Sequence, residues 1–248
     1  MITLKTKQEI TLLREAGRIV AQTHKYMEQF IKPGVSTKEL DKLAEDFIVS
    51  CNATPSFKGL YGFKGSICIS VNDCVIHGIP DQYRLKEGDV VKLDIGACKD
   101  GYHGDSAWTY CVGEGSSEAK KIMQVTHDAL FAGLAKAIPG NRVGDISAAI
   151  EEYVAKHGCT SPYDYTGHGV GTSVHEDPMV PNYGHAGKGP KLKAGMVIAV
   201  EPMVHLGGAA VVTDPDGWNV KTLDHSLTAH YEHTIAITED GYEIMTTL

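Results

Sequence analysis

The sequence predicts an α+β fold made of two similar halves, and three observations carry that expectation. Helical texture followed by strand texture occurs twice along the chain, and two separate segments of the first round recur in the second. No low-complexity linker divides the rounds. At 248 residues and 42% hydrophobic composition the chain has material for one large or two small domains with a buried core.

The elements follow from local signals. Thr6 with Glu9, and Ser36 with Glu39, have capping-box spacing and predict two helix starts. In the second helix Leu40, Leu43, Ala44, Phe47, Ile48 and Cys51 share one face, opposite Lys42, Glu45 and Asp46. After Pro55 the texture predicts strands at 66–71, 75–79, 89–98 and 102–112. Helices are expected again at about 118–137 and 145–157, and strands from Met196 onward.

The repeat holds its register. The segment opened by Lys32-Pro-Gly matches the one opened by Ile138-Pro-Gly, and Leu85-Lys-Glu-Gly-Asp-Val-Val matches Leu192-Lys-Ala-Gly-Met-Val-Ile. Gly34 and Gly140 are 106 apart; Leu85 and Leu192, Gly88 and Gly195, and Asp94 and Glu201 are each 107 apart. Shared turn chemistry could produce such short matches singly, but two half-repeats, roughly 1–115 and 116–248, account for the constant offset. They place one carboxylate from each copy, Asp94 and Glu201, at the same point near the end of an apolar strand.

A formal charge of −8 and a pI near 5.8 argue against direct nucleic-acid recognition. No apolar run reaches the roughly 18–20 residues of a membrane span, and MITLKTKQEI does not read as a signal peptide, so no membrane association is expected and the expected compartment is the cytoplasm. Six cysteines without C-x-x-C spacing read as reduced thiols. Twelve histidines in an acidic chain raise the odds of a metal or acid–base site.

The chemistry concentrates in three places. Asp100-Gly101 is a two-residue hairpin signal, and a turn there makes Asp94 and Asp105 diagonal neighbours on one sheet face. Taken alone the pair fits either one shared site or two solvated strand carboxylates. Thr166-Gly-His-Gly-Val-Gly sets His168 between glycines that permit close backbone approach to a ligand, and His175 follows seven residues later. Tyr231-Glu-His-Thr places Glu232 in a short apolar strand, where an unpaired charge is costly.

The set Asp94, Asp105, His168, Glu201 and Glu232 resembles the dinuclear metal site of the methionine aminopeptidases and their relatives with the pita-bread fold, which implies two pseudo-symmetric halves with helices outside curved antiparallel sheets. The similarity runs through NDCVIHGIP (72–80), DIGACKDGYHGDSAWTY (94–110), TGHGVGTSVHEDP (166–178), AVEPM (199–203) and YEHT (231–234), so it spans nearly the whole chain. Only 31 positions separate Glu201 from Glu232, which leaves no room for the helical insert of the type II enzymes and points to type I; a first helix expected almost at Met1 resembles the short bacterial form.

The resemblance implies two divalent ions per chain, with cobalt, manganese, iron and zinc all compatible with four carboxylates and one imidazole. It implies that Asp105 and Glu232 bridge them, that Asp94 completes one ion and His168 with Glu201 the other, and that Glu201 is also the general base. His77 and His175 resemble the non-ligand pair that binds the substrate amide and carbonyl. Phe57, Leu60, Phe63, Cys68, Val174 and Trp218 resemble the methionine pocket, although Leu60 and Phe63 stand where tyrosines are common and Val174 where a phenylalanine is common.

The implied activity is removal of the initiator methionine from nascent polypeptide N-termini when the second residue is small, by a monomer. Because Ile2 is bulky, the same rule implies that this chain keeps Met1. Lys188, Lys191 and Lys193 form the densest basic stretch; it fits transient ribosome contact or a solvated loop. The alternatives are an Xaa-Pro aminopeptidase or prolidase, which shares the five-residue set but usually carries an additional N-terminal domain, and a metal-free binding relative.

Overall fold

The computed structural model describes residues 1–248. Its first round of elements is α1 (Lys7–Met27), α2 (Thr37–Ser50), β1 (Thr54–Pro55), β2 (Cys68–Val71), β3 (Cys74–Ile76), β4 (Val90–Lys99) and β5 (Tyr102–Cys111). The second is α3 (Ser117–Leu134), α4 (Val143–Lys156), β6 (Thr166–Gly169), β7 (Glu176–Pro181), β8 (Val197–Val200), β9 (Met203–His205), β10 (Val211–Thr213), β11 (Val220–Thr222), β12 (Thr228–His230), β13 (His233–Ile237) and β14 (Tyr242–Ile244). Both expected capping boxes form, with Thr6 and Ser36 each accepting from the backbone three residues on while Glu9 and Glu39 reach back.

Every strand pairing is antiparallel. In the first half β4 is flanked by β2 and β5 and also pairs β1; in the second the order is β14-β13-β8-β6-β7. Ile19, Leu40, Ile48, Ile67, Leu93 and Ile95 make one core beneath α1 and α2. Ile122, Leu130, Ile146, Ile150, Ile198 and Ile235 make the other, beneath α3 and α4. The correspondence between the halves extends to individual hydrogen bonds. Gly34 N–H donates to Leu85 O at 2.8 Å and Gly140 N–H to Leu192 O at 3.2 Å, while Leu85 and Leu192 donate back to Val35 and Asn141.

The strands expected at 66–71 and 75–79 are shorter than the apolar pattern indicated. The latter ends at Ile76 because His77 adopts a left-handed φ of 58° and turns the chain. Asp94 and Glu201 also differ in setting. Asp94 lies within the ten-residue β4, whereas Glu201 follows β8 immediately, where Pro202 lacks the N–H that a central ladder requires.

Helix α1 packs across β4 and β5 so closely that backbone meets backbone. A Cβ on Gly104 would fall 2.6 Å from Gly17 N and 2.7 Å from Gly17 Cα. Neither strand nor helix can yield locally, so Gly104→Ala is expected to cost about 1–3 kcal/mol or more by overpacking. Urea unfolding of the variant checks this; an unchanged midpoint would contradict the close approach.

Candidate metal centre and adjoining pocket

The β4–β5 hairpin turns at Asp100 and Gly101, both with positive φ, and pairs Lys99 with Tyr102. That register sets Asp94 opposite Ala107 and Asp105 opposite Gly96, the diagonal relation expected from the sequence. Asp94 also stands opposite Cys68 of β2, so the carboxylate and the thiol share a face.

Side-chain bonds between β5 and the second half draw the two together. Thr234 Oγ1 donates to Asp105 O at 2.7 Å, Ser106 Oγ to Glu232 O at 2.6 Å and Thr109 Oγ1 to His230 O at 2.7 Å. Glu232 N–H donates to Ala107 O. Glu232 therefore does not lie within a strand, as its apolar neighbours suggested; it occupies the two-residue break between β12 and β13. There its side chain is released from the sheet alternation.

His168 sits on β6 with its Nδ1 bonded to Gly169 O at 2.9 Å, which directs Nε2 to the carboxylates. Nε2 lies 3.4 Å from Glu201 Oε1 and 3.8 Å from Asp105 Oδ2. The flanking glycines serve packing, contrary to the ligand-approach reading. A Cβ on Gly167 would meet Ala199 O at 2.4 Å, and one on Gly169 would meet Asp177 O at 2.2 Å.

All five residues of the acidic set line one cavity of about 350 Å³. Burial raises the pKa of each carboxylate. Asp94 and Glu201 are pushed up to about 7, and Asp105 and Glu232 well above the usual carboxylate range, with the neighbouring carboxylates adding to both. Asp94 Oδ1, Asp105 Oδ1 and Glu232 Oε1 are buried with no hydrogen-bond partner. Asp105, His168 and Glu232 present ligand atoms within 4.8 Å of one another, as do Glu201, His230 and Glu232. Unpaired, mutually repelling oxygens beside two imidazoles fit divalent cations.

The same cavity continues into an apolar wall. Phe57, Phe63, Cys68 and Val174 form a buried cluster with Leu60, Ile79 and Trp218 packed against it, so every residue of the expected pocket converges. The Cys68 thiol is held protonated by burial and by Asp94 and Asp105. His77 and His175 line the cavity between wall and carboxylates. Burial lowers the pKa of His77 to about 4 and lowers that of His175, so both rings are neutral near pH 7. The turn leading to His77 is pinned from below by Lys92, a fully buried lysine whose Nζ donates to Asn72 O at 2.7 Å.

Five lining residues were not anticipated from the sequence: Tyr61, Ile76, Asp164, Tyr165 and Thr166. His230 was also missed. Its separation of two from Glu232 in an extended segment is a same-face signal that could have found it.

Raised carboxylate pKa values give the metal-free protein stability that is fully present below about pH 4 and lost as pH rises through about 7. Divalent cation should offset that loss. Adding Mn²⁺ to chelator-treated protein is expected to raise Tm by at least about 4 °C near pH 8, and by less near pH 5.5 where protons compete. Thermal melts at both pH values check this; a metal-induced shift that is absent or larger at the acid end would contradict it.

The chain matches Metallopeptidase family M24 over residues 11–239. It is 54% identical over 246 residues to methionine aminopeptidase 1 of Bacillus subtilis, covering 99% of both chains. The crystal structure of methionine aminopeptidase from Rickettsia prowazekii superposes with a TM-score of 0.98 at 42% identity, covering 99% of this chain and 100% of that one. Prolidase from Pyrococcus furiosus shares the pita-bread fold at a TM-score of 0.79 and 23% identity, but only 65% of its length is matched. The chain therefore belongs to the M24 metallopeptidases and, within them, to the methionine aminopeptidases.

Proposed function

We propose that Asp94, Asp105, His168, Glu201 and Glu232 hold two divalent ions, and that the chain uses them to remove the N-terminal methionine of nascent proteins whose second residue is small. The observation that carries this reading is the juxtaposition of orphaned carboxylate oxygens with an apolar pocket across which His77 and His175 stand. Bound divalent ions supply a water of lowered pKa and a Lewis acid for the scissile carbonyl. Glu201 takes up the proton released from the attacking water. The neutral imidazoles of His77 and His175 hydrogen-bond the substrate amide and carbonyl, stabilise the charge that develops there and assist departure of the amine. Phe57, Leu60, Phe63, Cys68, Val174 and Trp218 receive the flexible, polarisable methionine side chain.

Residues 1–248 act in this reading as one catalytic domain with half-repeats of about 1–115 and 116–248 and the site between them. The chain acts in this reading as a cytoplasmic monomer; no helix is long and apolar enough to cross a membrane. Lys188, Lys191 and Lys193 are exposed, and any ribosome contact through this basic stretch would rest on them.

Chelated protein given each metal in turn should hydrolyse Met-Ala-Ser at least about 10-fold faster than Met-Ile-Ser, a difference of about 1.4 kcal/mol in barrier. Preference for an Xaa-Pro peptide would overturn the assignment. His175→Ala should lower kcat by about 10²-fold or more, the scale of a lost acid–base group or oxyanion donor, with metal content by elemental analysis unchanged. Loss of metal from that variant would show that His175 is a ligand instead.

A further inference from the structure

Each oxygen of Glu201 faces a histidine. Oε1 lies 3.4 Å from His168 Nε2, and Oε2 lies 3.4 Å from His230 Nε2. His168 has its place in the proposed ligand set; His230 has none. Its side chain is only 2% exposed, and its Nε2 is buried without a hydrogen-bond partner. Its backbone is held on both sides by one hydroxyl, because Thr109 Oγ1 accepts from His230 N–H at 2.9 Å and donates to His230 O at 2.7 Å. The fold thus aims this ring at Glu201 from β12 and leaves the nitrogen unsatisfied, a costly arrangement if nothing bonds to it.

Glu201 needs such a partner. A carboxylate that helps hold a cation and also takes up a proton must present the same oxygen to the centre at each turnover, and a glutamate arm with three rotatable bonds does not enforce that alone. We propose that His230 is the positioning residue of Glu201: its Nε2–H donates to Oε2 and so keeps Oε1 directed to His168 and the cation centre. The proposal deepens the metallopeptidase reading above and rests on it. Hydrogen-bond partners of metal-binding carboxylates commonly govern metal affinity as well as rate.

His230→Leu removes the donor and His230→Gln restores one; His230→Met replaces the leucine variant if that does not fold. In the full-length protein, the affinity of chelated His230→Leu for Mn²⁺, measured by calorimetry, should fall about 10–100-fold. Its kcat on Met-Ala-Ser should fall by a similar factor with KM changed less than about two-fold, the pattern of an interaction that matters in the transition state. His230→Gln should recover most of both losses, and its Co²⁺ form should keep the wild-type visible spectrum. Wild-type Mn²⁺ affinity and kcat in the leucine variant would overturn the proposal. So would equal loss in both variants with an altered Co²⁺ spectrum, which would make the imidazole a ligand. Failure of the wild type itself to bind Mn²⁺ would overturn the metallopeptidase reading, and the proposal with it.

Discussion

The mutual repulsion of four buried carboxylates is the constraint around which the molecule is organised. Asp94, Asp105, Glu201 and Glu232 share one cavity, and burial alone would drive them to take up protons. Holding them there requires a rigid frame. The long β4–β5 hairpin supplies one pair, and the hydroxyls of Ser106, Thr109 and Thr234 fasten the strands of the second half to it. Each of these hydroxyls bonds main chain, so the frame is set by backbone position and not by adaptable side-chain packing.

The apolar wall and the acidic centre are one construction. Cys68 belongs to both, pairing with Asp94 across β2 and β4 while packing with Phe57, Phe63 and Val174. A side chain seated on that wall lies beside the carboxylates without any separate device to deliver it. His77 and His175 complete the passage between the two regions, and their neutrality follows from the same burial that raises the carboxylates.

Much of this was legible in the sequence, because short-range chemistry decided it. The capping boxes, the Asp-Gly turn and the register it imposes on Asp94 and Asp105 are local, and the 107-residue offset is arithmetic on the chain. What was misread depends on contacts distant in sequence. The glycines around His168 resemble a ligand cradle locally, yet the atoms that exclude a side chain there belong to Ala199 and Asp177. Glu232 reads as a strand residue until β5, some 125 positions earlier, is seen to interrupt the ladder by bonding to its backbone. His230 carries only its separation of two from Glu232 as a local signal, and that spacing alone does not distinguish a core histidine from one aimed at a carboxylate.

The two halves contribute unequally to the centre: Asp94 and Asp105 come from the first, and His168, Glu201 and Glu232 from the second. Neither half alone offers more than a fragment of it. A cation bound between them joins surfaces that chain connectivity links only through the segment after β5, and it opposes any motion that parts them. Binding energy at the centre would thereby also be cohesion between the halves, so that opening by one half alone would first have to surrender a bound cation. The centre in this sense measures whether the molecule is correctly assembled, since only a fully docked pair of halves can fill it.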